Sequence, residues 1–439
     1  MGLRAVWGVP VWLRQRAADI NDSFWLRPAL MVVAGISLAE LFIGLDRKGV
    51  LPSGFASDWL YGGGETGART LLGAVAGSTI AVAGTLFSIT IAALTLASNQ
   101  MGPRLLRNFT RDRGNQATLG AFLGTFAYSL MALRTVRGDS EGAFIPHLAT
   151  TGAIVLALAC VAMLIFFVHH VATRINSETV IELVYQDLHA RLMTQTTQEE
   201  PSASLAELPA FDGSEITDER CGFIQQLDES SIADWAAAHG ACVRLSVRAG
   251  HFVFPGAPIG TVTPAHEDAD QVVRSALAIG SSPTSSSDVE FAVTQLADIA
   301  TRALSPGIND PTTAIRVVDH LGAALCVLAS RHLPSGVVRR DGRIVLQRST
   351  TTYAGLTDVM FHSIRQYATN SPAVLIRMIE VLTKVAQCEH RADRLCELAR
   401  HGELILADAV RCMGNASDLT DLRERVDLLS RTITTARDR

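Results

Sequence analysis

The sequence predicts an α-helical membrane domain followed by an α+β region. Three observations carry this: four long apolar segments within the first 171 residues, a change in charge balance after them, and alternating strand-like and helical patterns beyond. The chain has 439 residues, 48% hydrophobic and 18% charged, with a mean hydropathy of +0.24. This composition excludes a disordered chain, a fibrous repeat and a disulfide-rich secreted scaffold. Residues 1 to 173 carry 13 Lys and Arg against 9 Asp and Glu, whereas residues 174 to 439 carry 25 against 34. Neither balance indicates a nucleic-acid-binding surface, so no nucleic-acid partner is expected.

The apolar segments lie at 28 to 45, 70 to 98, 116 to 135 and 147 to 171. Each is near or above the length needed to cross about 30 Å of hydrocarbon as a helix. Arg4, Arg14, Arg16 and Arg27 precede the first segment; Arg104, Arg107, Arg111 and Arg113 separate the second from the third; Arg174 follows the fourth. The positive-inside rule then predicts four spans with both termini cytoplasmic. Residues 1 to 27, with Trp7, Trp12 and Trp25 interleaved among arginines, read as an interfacial helix rather than a cleaved signal. Glu40 lies near the outer end of its span, and His169 and His170 end the fourth at the inner interface; all three read as interfacial groups.

The second segment is the most informative. Ala74, Ser78, Ala81, Thr85, Ser88, Ala92, Thr95 and Asn99 recur in steps of four and three, placing a small, hydroxyl-bearing seam on one face. Two readings follow. Small residues permit close helix packing, and Gly73-xxx-Gly77 here with Gly120-xxx-Gly124 in the third span have the spacing such contacts use. Alternatively, symmetry-related copies line an aqueous path with Ser78, Thr85, Ser88, Thr95 and Asn99, and the basic face of Arg104, Arg107 and Arg111 stands at its inner mouth.

Residues 174 to 215 read as a helical stalk and a Pro- and Ser-containing linker, and 216 to 264 as a small β-rich module. In that module SSIADWAAAHG reads as a helix started by Ser230 or Ser231. Its GHFVFPGAPIGTV run is similar to the turn-and-strand pattern of biotinyl/lipoyl-like domains. The chain has only Lys48 and Lys384, so no carrier lysine is available and no cofactor is expected. Residues 288 to 439 read as a helical bundle, with helices near 288 to 304, 312 to 331, 353 to 370, 373 to 400, 402 to 413 and 418 to 437. A β-hairpin at 336 to 347, about the Asp341-Gly342 turn, reads as an excursion from it.

The loop ALSPGINDPTTA at 303 to 314 has two readings. Ser-Pro-Gly stops a helix, and Asp310 or Thr312 caps the next. Alternatively Arg302, Asn309, Asp310 and Arg316, with Asp319 and His320, converge on an ion or small ligand. The seven cysteines form no C-x-x-C pair, and Cys388, His390 and Cys396 match no common zinc spacing, so reduced thiols and no metal are expected.

ALSPGINDPTTA, FSITIAALTLASNQMGPRLLRNF at 87 to 109, and the module opening CGFIQQLD resemble an uncharacterised bacterial family of multi-pass membrane proteins, domain of unknown function 2254. The resemblance implies an inner-membrane location and brings no activity or catalytic residues. No phosphate loop or HExxH occurs, so an enzyme is not expected. The functional expectation is a homo-oligomeric channel or transporter built on the second span with a cytoplasmic regulatory domain; the alternative is a membrane-anchored sensor or scaffold.

Overall fold

A computed structural model describes residues 24–48, 60–101, 112–137, 144–174, 177–199, 213–281 and 289–438. The interfacial helix expected before residue 24, Arg104, Arg107 and Arg111, and the junction at 175 and 176 where the stalk would join the fourth span lie outside the described residues. The described residues divide into two compact units, one ending at Thr179 and the other beginning at Val180.

The first unit is built from α1 (Leu26–Arg47), α2 (Glu65–Met101), α3 (Arg113–Leu133) and α4 (His147–Arg174). Polar groups set several helix starts. Glu65 pairs with Arg69 at 3.1 Å, one turn on, and extends α2 upstream of the expected start. Asp112 caps α3, accepting from Gly114 N at 2.7 Å, and the Asp46 carboxylate accepts from Leu148 N and Ala149 N at the start of α4. At 37 residues, α2 is about 55 Å long at the usual rise, more than a bilayer core.

Glycine decides how these helices approach. A Cβ at Gly35 of α1 would lie 2.4 Å from the Gly124 carbonyl oxygen of α3, and one at Gly124 would lie 2.8 Å from the Met31 oxygen. The two backbones therefore cross in direct contact, with Gly120 against Met31 beside them. Tyr128 of α3 ties in α4 by donating to the Ala149 oxygen at 2.8 Å. Large apolar side chains remain on the outside: Leu158 is 66% and Ile165 68% exposed on α4, with Leu30, Val33 and Leu41 exposed on α1.

The second unit opens within α5 (Ser177–Gln195). It continues through β1 (Ser214–Thr217), β2 (Gly222–Leu227), α6 (Glu229–Ala238), β3 (Cys242–Leu245), β4 (Phe252–Val253), β5 (Pro258–Thr263), α7 (Ala269–Ala276) and β6 (Leu277–Gly280). Then follow α8 (Val289–Ala303), α9 (Pro311–Ala329), β7 (Val337–Arg340), β8 (Arg343–Arg348), α10 (Tyr353–Tyr367), α11 (Pro372–Cys388), α12 (Ala392–Cys412) and α13 (Ala416–Arg437). Two sheets result, one ordered β1-β5-β3-β8-β7 and one β4-β2-β6.

Three details differ from the sequence expectation. The hairpin β7-β8 is not an excursion from the bundle: β8 pairs in parallel with β3, Val243 opposite Leu346, and Val345 and Leu346 enter the same core as Ile216, Ile224 and Ile232. Helix α6 is capped by Asp228, which accepts from Ser231 N, rather than by a serine. The break expected at 401 falls instead at 389 to 391. There the buried Glu389 carboxylate accepts from His390 N and Arg391 N and pairs with buried Arg394 at 3.3 Å, while Gly402 stays helical against Leu429.

Five described helices are long and apolar enough to cross a membrane: α1 to α4 and α9. Helix α9 is packed against α8 and α11, with Val317, Leu321, Leu325 and Leu328 buried, and its Asp319 pairs with Arg377 of α11 at 2.7 Å.

Replacing Gly124 with leucine is expected to force α1 and α3 apart, at roughly 1–3 kcal/mol or more. It should lower the unfolding temperature in detergent, whereas Gly44→Leu, where an added Cβ meets nothing within 4 Å, should not. Equal unfolding temperatures for the two variants would contradict the crossing.

Candidate functional site

Among the described residues, the seam of α2 lies on the side that no other helix of the first unit covers. Ala68, Leu72, Ala76, Thr79, Ala83, Leu86 and Thr90 form the buried face, and Ser78, Thr85, Ser88 and Thr95 are exposed on the opposite one. Each of these four hydroxyls donates to a carbonyl of the preceding turn: Val75 at 3.2 Å, Ala81 at 3.2 Å, Gly84 at 3.0 Å and Ile91 at 2.9 Å. Their donors are satisfied within the helix, while the oxygens keep accepting capacity toward whatever meets this face. A Cβ at Gly73, Gly77 or Gly84 would meet nothing within 4 Å. The two GxxxG spacings thus differ: Gly120 and Gly124 are used inside the first unit, and Gly73 and Gly77 meet nothing among its described residues. The side chain of Asn99, at the seam's end, lies outside the description.

The ionisable groups flanking these helices are paired. Glu40 bonds Arg134 at 3.0 Å, and His170 bonds the Asp112 carboxylate at 2.8 Å, joining the start of α3 to the end of α4.

The loop between α8 and α9 is a capping structure. Asp310 accepts from Thr313 N at 3.1 Å and from the Thr313 hydroxyl at 2.6 Å, Pro311 opens α9, and Asn309 turns the chain with φ of 50°. The Thr313 hydroxyl, against a smaller opposing effect of burial, holds the Asp310 carboxyl below its ordinary range, with the Thr313 and Thr312 amides and Arg316 adding to it. The six residues grouped by sequence do not share one focus. Asp319 turns to Arg377, and His320 bonds the Arg316 carbonyl at 2.8 Å and Glu182 of α5 at 3.2 Å. Arg302 and Arg316 are half-buried and have interactions of their own.

A cleft that the sequence did not indicate lies elsewhere in the second unit. It encloses about 270 Å³ between the end of α5, β2, α6 and the strand β8, and Arg248, Arg348, Glu229 and Thr351 line it. Arg248 bonds Glu290, Thr351 and His251, and Arg348 pairs with Glu229 at 2.9 Å. Burial raises the Glu229 carboxyl above its usual range, opposed by Arg348. The cleft therefore holds two guanidinium groups, each facing one carboxylate, beside apolar Leu227 and Leu333.

Long apolar helices carrying exposed large aliphatic side chains, followed by a separate α+β unit, define a multi-pass membrane protein. The chain belongs to the family described as predicted membrane protein (DUF2254), which it matches over residues 21–384. Among its relatives are uncharacterised proteins of Mycobacterium tuberculosis and Mycobacterium bovis, each 32% identical over 94% of this chain and 82% of theirs. No solved structure matches the chain.

Asp310→Ala is expected to cost about 1 kcal/mol of stability, as loss of a helix cap does. Because the folded carboxyl titrates below its ordinary value of about 3.9, its contribution is complete above that pH and is lost as the pH falls through the folded pKa. Thermal unfolding of wild type and variant should therefore differ at pH 7 and converge as acid protonates the carboxyl; a gap as large in acid as at pH 7 would contradict the capping role.

Proposed function

We propose that the protein is a homo-oligomeric inner-membrane protein of bacteria in which the small, hydroxyl-bearing face of α2 meets its own copies around an ion-conducting path. The observation that carries this reading is the outward position of Ser78, Thr85, Ser88 and Thr95, flanked by glycines that nothing among the described residues of the first unit approaches. A lone protomer would present this row of small residues to lipid with little van der Waals contact, and close helix association is the usual use of such a face. Helices α1 to α4 are the four spans of this proposal. Helix α9 is assigned to the non-membrane unit because its apolar face is packed there and Asp319 is ion-paired. The basic connections favour cytoplasmic termini, which puts the α+β unit in the cytoplasm as a regulatory domain. No enzymatic role is proposed.

In proteoliposomes, Ser88→Trp should abolish ion flux while leaving the assembly's size unchanged, because the indole would fill a narrow path. Wild-type flux through a correctly assembled variant would contradict the path. A wild type with no flux for any common monovalent ion would contradict it as well.

A second reading, a membrane-anchored sensor, is favoured by the Arg248 and Arg348 cleft, whose paired guanidinium groups suit a small carboxylate or phosphate ligand. A screen of such anions on the full-length protein should then yield one that raises the unfolding temperature, with the shift lost in Arg348→Ala. A shift that survives the substitution, or none across the screen, would contradict that assignment.

A further inference from the structure

Helices α10 and α12 bring together three side chains whose chemistry none of the foregoing uses. Asp358 and His362 stand one turn apart on α10, and His401 comes from the middle of α12. One donor atom from each lies within 4.8 Å of the other two. His362 Nε2 is 2.8 Å and His401 Nε2 3.3 Å from Asp358 Oδ1. An ion held tetrahedrally at about 2.0 to 2.2 Å from its ligands spaces neighbouring donors about 3.4 Å apart, so these atoms need only small rotamer adjustments to share one.

The burial is graded in a way that suits such a centre. His401 has no exposed side-chain surface, and its ring packs edge-on to Phe361 with centroids 5.5 Å apart. Its Nδ1 has no hydrogen-bond partner, nor has Nδ1 of His362. The buried Nδ1 of His401 is left unsatisfied in either tautomer: protonated, its N–H finds no acceptor, and deprotonated, its lone pair finds no donor. Asp358 and His362 are each more than one-third exposed, which leaves a solvent path to a fourth ligand position.

Arg400 now supplies the positive charge. Its Nη2 bonds Asp358 Oδ1 and lies 3.3 Å from His401 Nε2, while its Nε bonds Glu397 at 2.7 Å. The guanidinium is 38% exposed and can swing toward Glu397 and solvent when another cation takes its place. Two imidazole nitrogens and one carboxylate oxygen select ions of the zinc class over calcium or magnesium, which favour all-oxygen sets.

We propose that Asp358, His362 and His401 form a binding site for a divalent transition-metal ion of the zinc class, clamping α10 to α12 and leaving one ligand position open to water. This replaces the sequence expectation of no metal centre, and it does not involve Cys388, His390 or Cys396.

The test uses tag-free full-length protein in detergent, stripped with chelator and titrated with Zn2+ alone and, separately, with Co2+ alone. Wild type should bind one ion per chain with a raised unfolding temperature, and the Co2+ form should show visible bands of a tetrahedral centre. Asp358→Asn and His362→Ala, both at partly exposed positions that a folded chain tolerates, should each weaken binding by more than tenfold. Arg400→Ala should bind as tightly as wild type or more tightly, the result expected if Arg400 competes for the same charge. No stoichiometric ion in wild type overturns the proposal. So does an ion whose affinity is unchanged in both ligand variants, since it must then lie elsewhere.

Discussion

Direct contact between the backbones of α1 and α3 at Gly35 and Gly124 is the constraint on which the rest of the first unit depends. In hydrocarbon, apolar side chains gain nothing by leaving lipid for one another, so helices hold together through close packing and hydrogen bonds. The glycine crossing supplies the first and Tyr128, reaching the Ala149 carbonyl, the second. Because α3 fills its glycine face with α1, α2 packs through its other side, using Leu72, Ala76, Ala83 and Leu86. Its small, hydroxylated face is left outward as a consequence.

The second unit is held by a different device. Around the α11–α12 junction, Arg394 donates to the Leu328 and Arg331 carbonyls, pairs with Glu389 and lies over the Tyr353 ring at 4.9 Å. Buried charges of this kind contribute little net stability, but removing one partner alone is costly because the other stays desolvated. Their effect is geometric: they set where α11 ends, and hence the register in which α12 presents His401 to α10. The sheet that receives β8 adds a second long-range tie between the module and the segment preceding α10.

Much of this was legible in the sequence where one local signal sufficed. Length and hydropathy located α1 to α4, and Pro311 after Asp310 marked the start of α9. What failed to be legible required knowing the partner. Gly73-xxx-Gly77 and Gly120-xxx-Gly124 have the same spacing, yet one is open and the other in contact, and only the neighbouring helix distinguishes them. The break at Glu389 contains neither Gly nor Pro, since a buried carboxylate takes up the free amides, and Gly402 stays inside a helix because Leu429 packs over it. Pairing of β3 with β8 joins residues about a hundred positions apart, beyond any periodicity argument. For the same reason the Asp358 and His362 pair, spaced like many surface i, i+4 pairs, acquires meaning only beside His401. The arginines of the cleft were hidden likewise, one coming from the connection between β3 and β4 and the other from the end of β8.

The outward seam of α2 makes oligomerisation the central claim, and a cryo-EM map of the protein purified in lipid nanodiscs tests it most directly. The account predicts a symmetric assembly in which Ser78, Thr85, Ser88 and Thr95 face symmetry-related copies about a common axis. A monomeric particle with those residues against lipid, or an assembly joined through another face, would contradict it.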